Sequence, residues 1–480
     1  MKPAAQFNRH ACQQSITAVT RRQMLCRSGL GLGAIALGDL FHRDASAVPT
    51  GGPLAARQSH FPAKAKHVIF LFMQGGPSHL ETFDPKPALA KHDGELLPEE
   101  FRKYDLAQTN TADGKLLAPQ FEFNKHGESG LEISSIFKEL TAHADKLAVI
   151  RSCYHDLFIH GSALTIMNSG TRLLGHPSVG AWILYGLGSE TDNLPSYVAM
   201  TDSMFRNGSA TFSSGFLPAI YQGTYLRTQG APIKNLQRPA GLDEKAQRIL
   251  LNQVQDWNRR HQQHRPGDSR LEARIANYEL AFRMQSAAPE LTDLSGETAE
   301  TRALYGIDEG PSAAFGTMCL MARRMVQRGV RYIHLVNTDW DAHGGCKSNH
   351  EGQARKVDRP IAGLLADLER EGLLESTLIV WAGEFGRTPI RQGGDGRDHH
   401  PYGFSSWMAG GGIQGGKTIG ATDDFGFHAV QDKVHVNDLH ATMLSLLGLH
   451  HEELTFLFEG REQRLTDVGG TNDLARRLLS

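Results

Sequence analysis

The chain is short of the features that mark several protein classes. Its five cysteines, Cys12, Cys26, Cys153, Cys319 and Cys346, are too few and too scattered over 480 residues for a disulfide framework. None sits in a CxxC pair or a Cys/His knuckle, which removes the common structural zinc modules. An excess of one charge is also missing. Fifty Lys and Arg stand against 52 Asp and Glu, a formal net charge of −2, so a non-specific nucleic-acid binder with a basic excess is excluded. No apolar run reaches the roughly 20 residues that a spanning helix needs. Hydrophobic residues make up 40% and charged residues 21%, so a sizeable core is available and global disorder is ruled out.

Glycine and histidine are plentiful instead, at 51 and 23 residues. Glycine suits tight strand–helix loops, and histidine is the commonest metal ligand. The N-terminal segment reads as a targeting peptide. Thr20-Arg21-Arg22-Gln23-Met24-Leu25 resembles a twin-arginine export signal, the apolar stretch Gly29–Leu37 follows, and Ala45-Ser46-Ala47 supplies an A-x-A cleavage site. The expected organisation is a twin-arginine signal peptide over 1–47, a Pro/Gly/Ala-rich linker over 48–62, and one α/β domain over 63–480. A polar helical insertion is expected at about 239–300, with helices over Lys245–Arg260 and Asp268–Met284. The mature protein is expected to be periplasmic or otherwise extracytoplasmic, with no stable membrane span once the leader is cleaved.

His67-Val-Ile-Phe-Leu-Phe-Met73 is a short continuous apolar run, read as a strand buried on both faces. Further strands are expected at Lys146–Arg151, Ser196–Thr201, Arg331–Asn337, Ser376–Ala382 and Phe404–Ala409. Helical patterns fall between them at Ile133–His143, Ala313–Arg328, Ala354–Glu371 and Val436–Leu447. This alternation predicts a mostly parallel sheet covered on both sides, a three-layer α/β/α sandwich.

In such sheets sites form beyond the carboxyl ends of the strands, and the chemistry-bearing residues lie there. Asp339-x-Asp341-x-His343 follows one strand, and its carboxylate and imidazole four residues apart can converge on a divalent cation. Asp398-His399-His400 adds adjacent imidazoles. A neutral His400 would complete a two-His, one-carboxylate set with Asp339 and His343, leaving open positions for water or substrate. Glu384 and Arg387 occupy a Gly-flanked turn, Glu384 as ligand or base and Arg387 as a holder of an anionic oxygen. His160 begins a segment read as a loop entering a helix. One divalent ion is expected: Zn²⁺ first, since two imidazoles and a carboxylate suit it, with Mn²⁺ or Fe²⁺ accepting the same ligands.

Taken in order, Gly75-Gly-Pro-Ser-His-Leu-Glu-Thr-Phe-Asp-Pro-Lys86, Asp341-Ala-His-Gly-Gly345, Gly383-Glu-Phe-Gly-Arg-Thr-Pro389, Arg397-Asp-His-His-Pro401, Gly410-Gly-Gly-Ile-Gln-Gly-Gly416 and Asn437–Gly448 resemble the bacterial domain of unknown function 1501 family. Its members commonly carry twin-arginine leaders and abound in planctomycete-like bacteria. The resemblance implies an alkaline phosphatase-like fold and, by analogy, metal-assisted hydrolysis of phosphate or sulfate esters. It also implies a first-metal set of Asp339, His343 and one of His399 or His400, with Gln74, Glu384 and Phe385 at second-metal positions. His160 falls at the nucleophile position, ten residues before Gly170. Gln74 is neutral, Phe385 cannot ligate, and His160 replaces the expected Ser, Thr or Cys. The Cys/Ser-x-Pro-x-Arg signature of formylglycine sulfatases is missing. Two functions are therefore carried forward: a one-metal exported hydrolase acting on an anionic ester or polysaccharide, with His160, Glu384 and Arg387 lining its site, and a non-catalytic binder of anionic polysaccharide on the same scaffold.

Overall fold

The structure is a computed structural model. It describes residues 54–102, 114–228, 232–233, 236–265, 268–308 and 310–480. The expected leader and the first six residues of the expected linker lie outside the described residues.

Strand β1 (His67–Met73) shows why the domain has two cores. All seven of its residues are buried. Side chains alternate along a strand, so Val68, Phe70 and Phe72 enter one apolar core while Ile69, Leu71 and Met73 enter the other. Each large aliphatic or aromatic side chain so buried contributes about 1.5–3 kcal/mol. Around β1 stand β2 (Ala148–Tyr154), β3 (Tyr197–Thr201), β4 (Thr224–Tyr225), β5 (Tyr332–Asn337), β6 (Thr377–Ala382), β9 (Phe404–Gly410) and β10 (Lys417–Ile419). Their order is β10-β2-β9-β6-β1-β5-β3-β4, with Val434–His435 also pairing to β2. The first core is shared with helices α1 (His160–Ser169), α2 (Val179–Leu187) and α7 (Val436–Leu446). The second lies under α5 (Ala313–Val326) and α6 (Cys346–Arg370). This is the expected α/β sandwich with a mostly parallel sheet.

The pairings are parallel except for those of β9, which runs antiparallel to both β2 and β6. That reversal positions the site. β9 starts at the end of the sheet where the parallel strands finish, and Phe404 pairs with Cys153 near the end of β2. The hairpin before it, β7 (Gly386–Gln392) and β8 (Gly396–His400), is thereby held over the carboxyl ends of β1, β5 and β6. Residues preceding one strand thus meet residues following the others.

Two helical expectations change. The segment expected as a helix over Ile133–His143 is instead the strand Leu131–Ser134, paired with Phe123–His126, followed by a 3₁₀ turn at Leu140–Lys146. Ile133, Ile136, Phe137 and Leu140 imitate a helical stripe, but they pack into or against the same core from a strand and a turn. Helix α6 begins at Cys346, eight residues before the expected Ala354. In the insertion, α3 (Glu244–Gln263) and α4 (Ser269–Thr292) are capped by Asp243 and Asp268, whose carboxylates accept from Ala246 N and from Arg270 N and Leu271 N. No helix among the described residues is long and apolar enough to cross a membrane.

Candidate metal centre

Three imidazoles and one carboxylate meet above the strand ends. The hub is Asp341. Its Oδ2 lies 3.1 Å from Nε2 of His160, and its Oδ1 lies 3.1 Å from Nε2 of His343 and 3.3 Å from Nε2 of His399. The Nε2 atoms of His343 and His399 are 3.0 Å apart. Each ring has its other nitrogen against an acceptor. Nδ1 of His160 donates to Glu384 Oε1 at 2.6 Å, Nδ1 of His343 to Gln392 Oε1 at 2.6 Å, and Nδ1 of His399 to the Phe158 carbonyl at 2.8 Å. A neutral imidazole with its proton fixed on Nδ1 presents a lone pair at Nε2. All three rings therefore turn lone pairs toward one another and toward a carboxylate. Only a cation, or protons taken up by the rings, relieves that repulsion.

His160 shows the conflict most clearly. Its Nε2 is buried and makes no hydrogen bond of acceptable geometry, although Asp341 is beside it. Burial opposes a charge on this ring, but the Asp341 and Glu384 carboxylates outweigh burial and hold its pKa above the ordinary value. Asp341 raises the pKa of His343 as well, against burial, while burial lowers that of His399. Burial would push Asp341 up, yet the three imidazoles and the Arg387 guanidinium hold its carboxyl well below the usual carboxylate range.

Local structure explains these positions. His160 opens α1, after Ile159 in an extended conformation. β5 ends at Asn337, and Trp340 is fully buried with its indole N–H on Asn337 Oδ1 at 2.7 Å, which anchors the following loop. The β1 loop passes beneath. Gly75 has φ +121°, and a Cβ there would meet the Asp341 backbone nitrogen at 2.5 Å, so the close crossing of the two loops requires glycine. Gly75 N donates to both oxygens of the fully buried Glu384, at 2.9 and 3.0 Å.

The family described as a protein of unknown function (DUF1501) matches residues 65–475. The chain belongs to the DUF1501 family. No curated protein matches the chain in sequence. Among solved structures it is similar to the lipoteichoic acid synthase LtaP from Listeria monocytogenes, with 7% identity over 91% of this chain and 80% of that one and a TM-score of 0.38. It is similar to the PsFucS1 sulfatase from Pseudoalteromonas sp., with 12% identity, 87% and 72% coverage and a TM-score of 0.38. A third likeness is to a protein in the alkaline phosphatase superfamily from Vibrio parahaemolyticus, with 9% identity, 86% and 74% coverage and a TM-score of 0.31.

Within this DUF1501 chain several residues expected in the site stand elsewhere. Asp339 is exposed and has φ +74°. That left-handed residue turns the chain, so Asp341 and His343, two apart, enter the cluster while the Asp339 carboxylate accepts, among the described residues, only from Thr338 Oγ1 at 3.3 Å. His400 is fully buried and bonded through Nε2 to the Phe427 carbonyl, and burial lowers its pKa to about 3. It neighbours His399 on a strand and so points the opposite way. Arg387 is fully buried under the cluster. It donates to the carbonyls of Gly75, Gly76 and Arg397 and, at 2.8 Å, to Asp341 Oδ1. Glu384 is sealed beneath His160. Phe385 packs its ring 4.9 Å from that of His160 and 4.6 Å from that of His399.

Arg206 is a site residue missed in the sequence. It follows β3, and its guanidinium lies 3.3–3.4 Å from Asp341 Oδ2 with its side chain 36% exposed. Gln74 sets it there, accepting from Arg206 N at 3.0 Å and donating to the Met204 carbonyl at 3.1 Å. The strand-end rule that marked the other loops extends to this one.

The residues fit a divalent cation. His160, Asp341 and His399 form one set with ligand atoms mutually close, and His343, Asp398 and His399 form an overlapping one. Hydrogen bonds from Nδ1 to carboxylate, amide and carbonyl oxygens are what orient metal-ligating histidines.

Proposed function

We propose that this chain is a metal-dependent hydrolase of phosphate or sulfate esters working with a single divalent cation held by His160, Asp341 and His399. The carrying observation is that three imidazoles, each fixed through Nδ1, direct Nε2 at one carboxylate. The two ligand sets share His399, whose Nδ1 is taken by the Phe158 carbonyl, and its single Nε2 lone pair supports a reading of one ion. Zn²⁺ suits the donors best, and Mn²⁺ or Fe²⁺ would accept them. When bound, such an ion supplies Lewis-acid polarisation and makes water more acidic, to a pKa of ~7 in favourable sites.

The chain's own residues divide the remaining work. Arg206, partly exposed and held by Gln74, binds the anionic oxygens of the ester, the role first expected of Arg387. His343 is the most exposed of the three imidazoles and accepts a proton from the attacking water, with Gln392 holding its tautomer. Glu384 keeps the proton of His160 on Nδ1. No hydroxyl is aimed into the cluster from the first turns of α1: Ser162 Oγ donates to the Ile159 carbonyl at 3.0 Å and Thr165 Oγ1 to the Gly161 carbonyl at 2.7 Å. Direct attack by water, without a covalent intermediate on α1, is the corresponding mechanism. The leader motif supports twin-arginine export and work outside the cytoplasm.

The test is a panel of phosphate monoesters, phosphodiesters and sulfate esters offered to metal-loaded protein. Turnover that disappears in Asp341→Ala and in His343→Gln, with the latter keeping its metal, supports the reading. Metal-loaded protein that cleaves none of them removes it. A second reading, a non-catalytic binder of anionic polysaccharide, is favoured by the sealing of Glu384 and Arg387 away from solvent. It predicts binding of sulfated polymer with no turnover.

A further inference from the structure

A cavity of about 710 Å³ lies between α4 and the edge strand β4, within the roughly 300–1,000 Å³ of ligand pockets. One wall is a single helical stripe: Arg270, Arg274 and Tyr278 follow one another four residues apart on α4, with Asn277 beside them. Tyr225 on β4 and Phe212 line it from the sheet side. Tyr225 and Tyr278 are 40% and 39% exposed, so aromatic faces are open to a ligand.

Two arginines of the helix pair are neutralised by its own carboxylates. On the other side of the helix pair Arg248 is neutralised by Glu279 at 2.8 Å, and on α3 Arg259 is neutralised by Asp256 at 2.7 Å. Arg270 and Arg274 have no carboxylate partner among the described residues. Arg274 instead stands over the ring of Tyr278, 5.6 Å from its centroid, and donates to the Tyr278 hydroxyl at 3.3 Å. Two unneutralised guanidinium groups, one held in place by an aromatic ring, call for an anionic ligand. Exposed tyrosine faces and an amide side chain suit the apolar faces and hydroxyls of sugar rings.

The cavity is also joined to the metal centre. Arg206, which reaches Asp341, is preceded by Phe205, and the Phe205 ring packs 5.5 Å from Tyr225 and 5.3 Å from Phe212. The loop between β3 and β4 is thus a wall of both sites.

We propose that this cavity is a subsite for anionic sugar units, holding the unreacted part of a sulfated or phosphorylated polysaccharide whose ester reaches the cluster past Arg206. The inference extends the hydrolase reading, since it names where the rest of the substrate lies, but its test is binding alone. The full-length mature chain is titrated with dextran sulfate, with neutral dextran and a single-stranded DNA oligomer as comparisons. Arg270→Ala/Arg274→Ala should weaken dextran sulfate binding about tenfold or more, the effect of losing charge-assisted hydrogen bonds, with an unchanged thermal midpoint. Tyr278→Ala should weaken it as well. Arg259→Ala/Arg260→Ala on α3 should leave it within twofold. Equal losses in the two double variants, or equal affinity for DNA, would show general polyanion adsorption and overturn the subsite. If hydrolysis is never found while this selective binding persists, the hydrolase reading fails and the subsite stands.

Discussion

Replacing Glu384 by Gln tests the tautomer argument with almost no change in shape. The carboxylate holds His160 Nδ1–H at 2.6 Å and the Gly75 amide at 2.9 and 3.0 Å. An amide oxygen placed at Oε1 keeps the His160 contact, but the new NH2 group then faces the Gly75 N–H, donor against donor. The His160 bond also loses its charge assistance, which roughly halves its strength. Two consequences follow. The ion-free protein should lose about 1–3 kcal/mol of stability for the desolvated donors left poorly paired. Metal affinity should fall about 10–100-fold, the usual cost of losing a partner behind a metal-bound histidine, or about 1.4–2.8 kcal/mol at 1.4 kcal/mol per decade. Competition against a chromophoric chelator at neutral pH measures the affinity, and thermal unfolding with chelator present measures the ion-free stability. At fixed free metal the stabilisation contributed by the ion should shrink by the same amount, about 1.4–2.8 kcal/mol, by which binding weakens. An affinity within twofold of the parent protein would refute the claim that Glu384 acts on a metal ligand.

Metal affinity should also fall as the pH is lowered through the raised pKa of His160, since Asp341 and Glu384 favour a proton on that ring and a proton on Nε2 excludes the ion; affinity that does not vary with pH would contradict this. His334 is fully buried with neither ring nitrogen hydrogen-bonded and its ring stacked 5.1 Å from Phe70, so His334→Phe should raise stability by about 1–3 kcal/mol in denaturant unfolding. Burial lowers the His334 pKa from 6.5 to about 3, so between those values the unfolded chain binds a proton that the native chain does not. Native stability therefore drops as pH falls through that window, by up to ~1.4 kcal/mol per pH unit for this ring, and the Phe variant should show a shallower slope by that amount. Replacing both Arg21 and Arg22 with Lys should leave precursor in the cytoplasm, because twin-arginine recognition is not met by charge alone; normal export in a fractionation assay would remove the export reading.

The strands were legible because burial on both faces writes a continuous apolar run, as in His67–Met73, and glycine-rich loops punctuate it. The strand-end rule led to the right loops, including the one before β9, which reaches the site only because β9 is antiparallel. Which residue of each loop enters the site was not legible. Asp339 and Asp341 are equivalent in spacing arguments until the left-handed turn at Asp339 sends one carboxylate to solvent and the other inward. His399 and His400 are adjacent on β8, so alternation guarantees that only one faces the cluster, and pairing of β8 with β7 selects His399 opposite Arg387. Arg387 looked like an anion holder in sequence because nothing there shows that three backbone carbonyls take its donors. Arg206 escaped notice because Thr201-Asp-Ser-Met-Phe-Arg206 carries no motif. Its tether to Gln74 helps bring it to Asp341.

The most direct test of the account is the metal content of the protein purified without chelator, measured by elemental analysis on three chains: the parent, Asp341→Ala and Asp339→Ala. The account predicts close to one divalent transition ion per chain in the parent, little or none in Asp341→Ala, and parent-like content in Asp339→Ala. A parent chain without bound ion, or loss of the ion in Asp339→Ala with retention in Asp341→Ala, would contradict it.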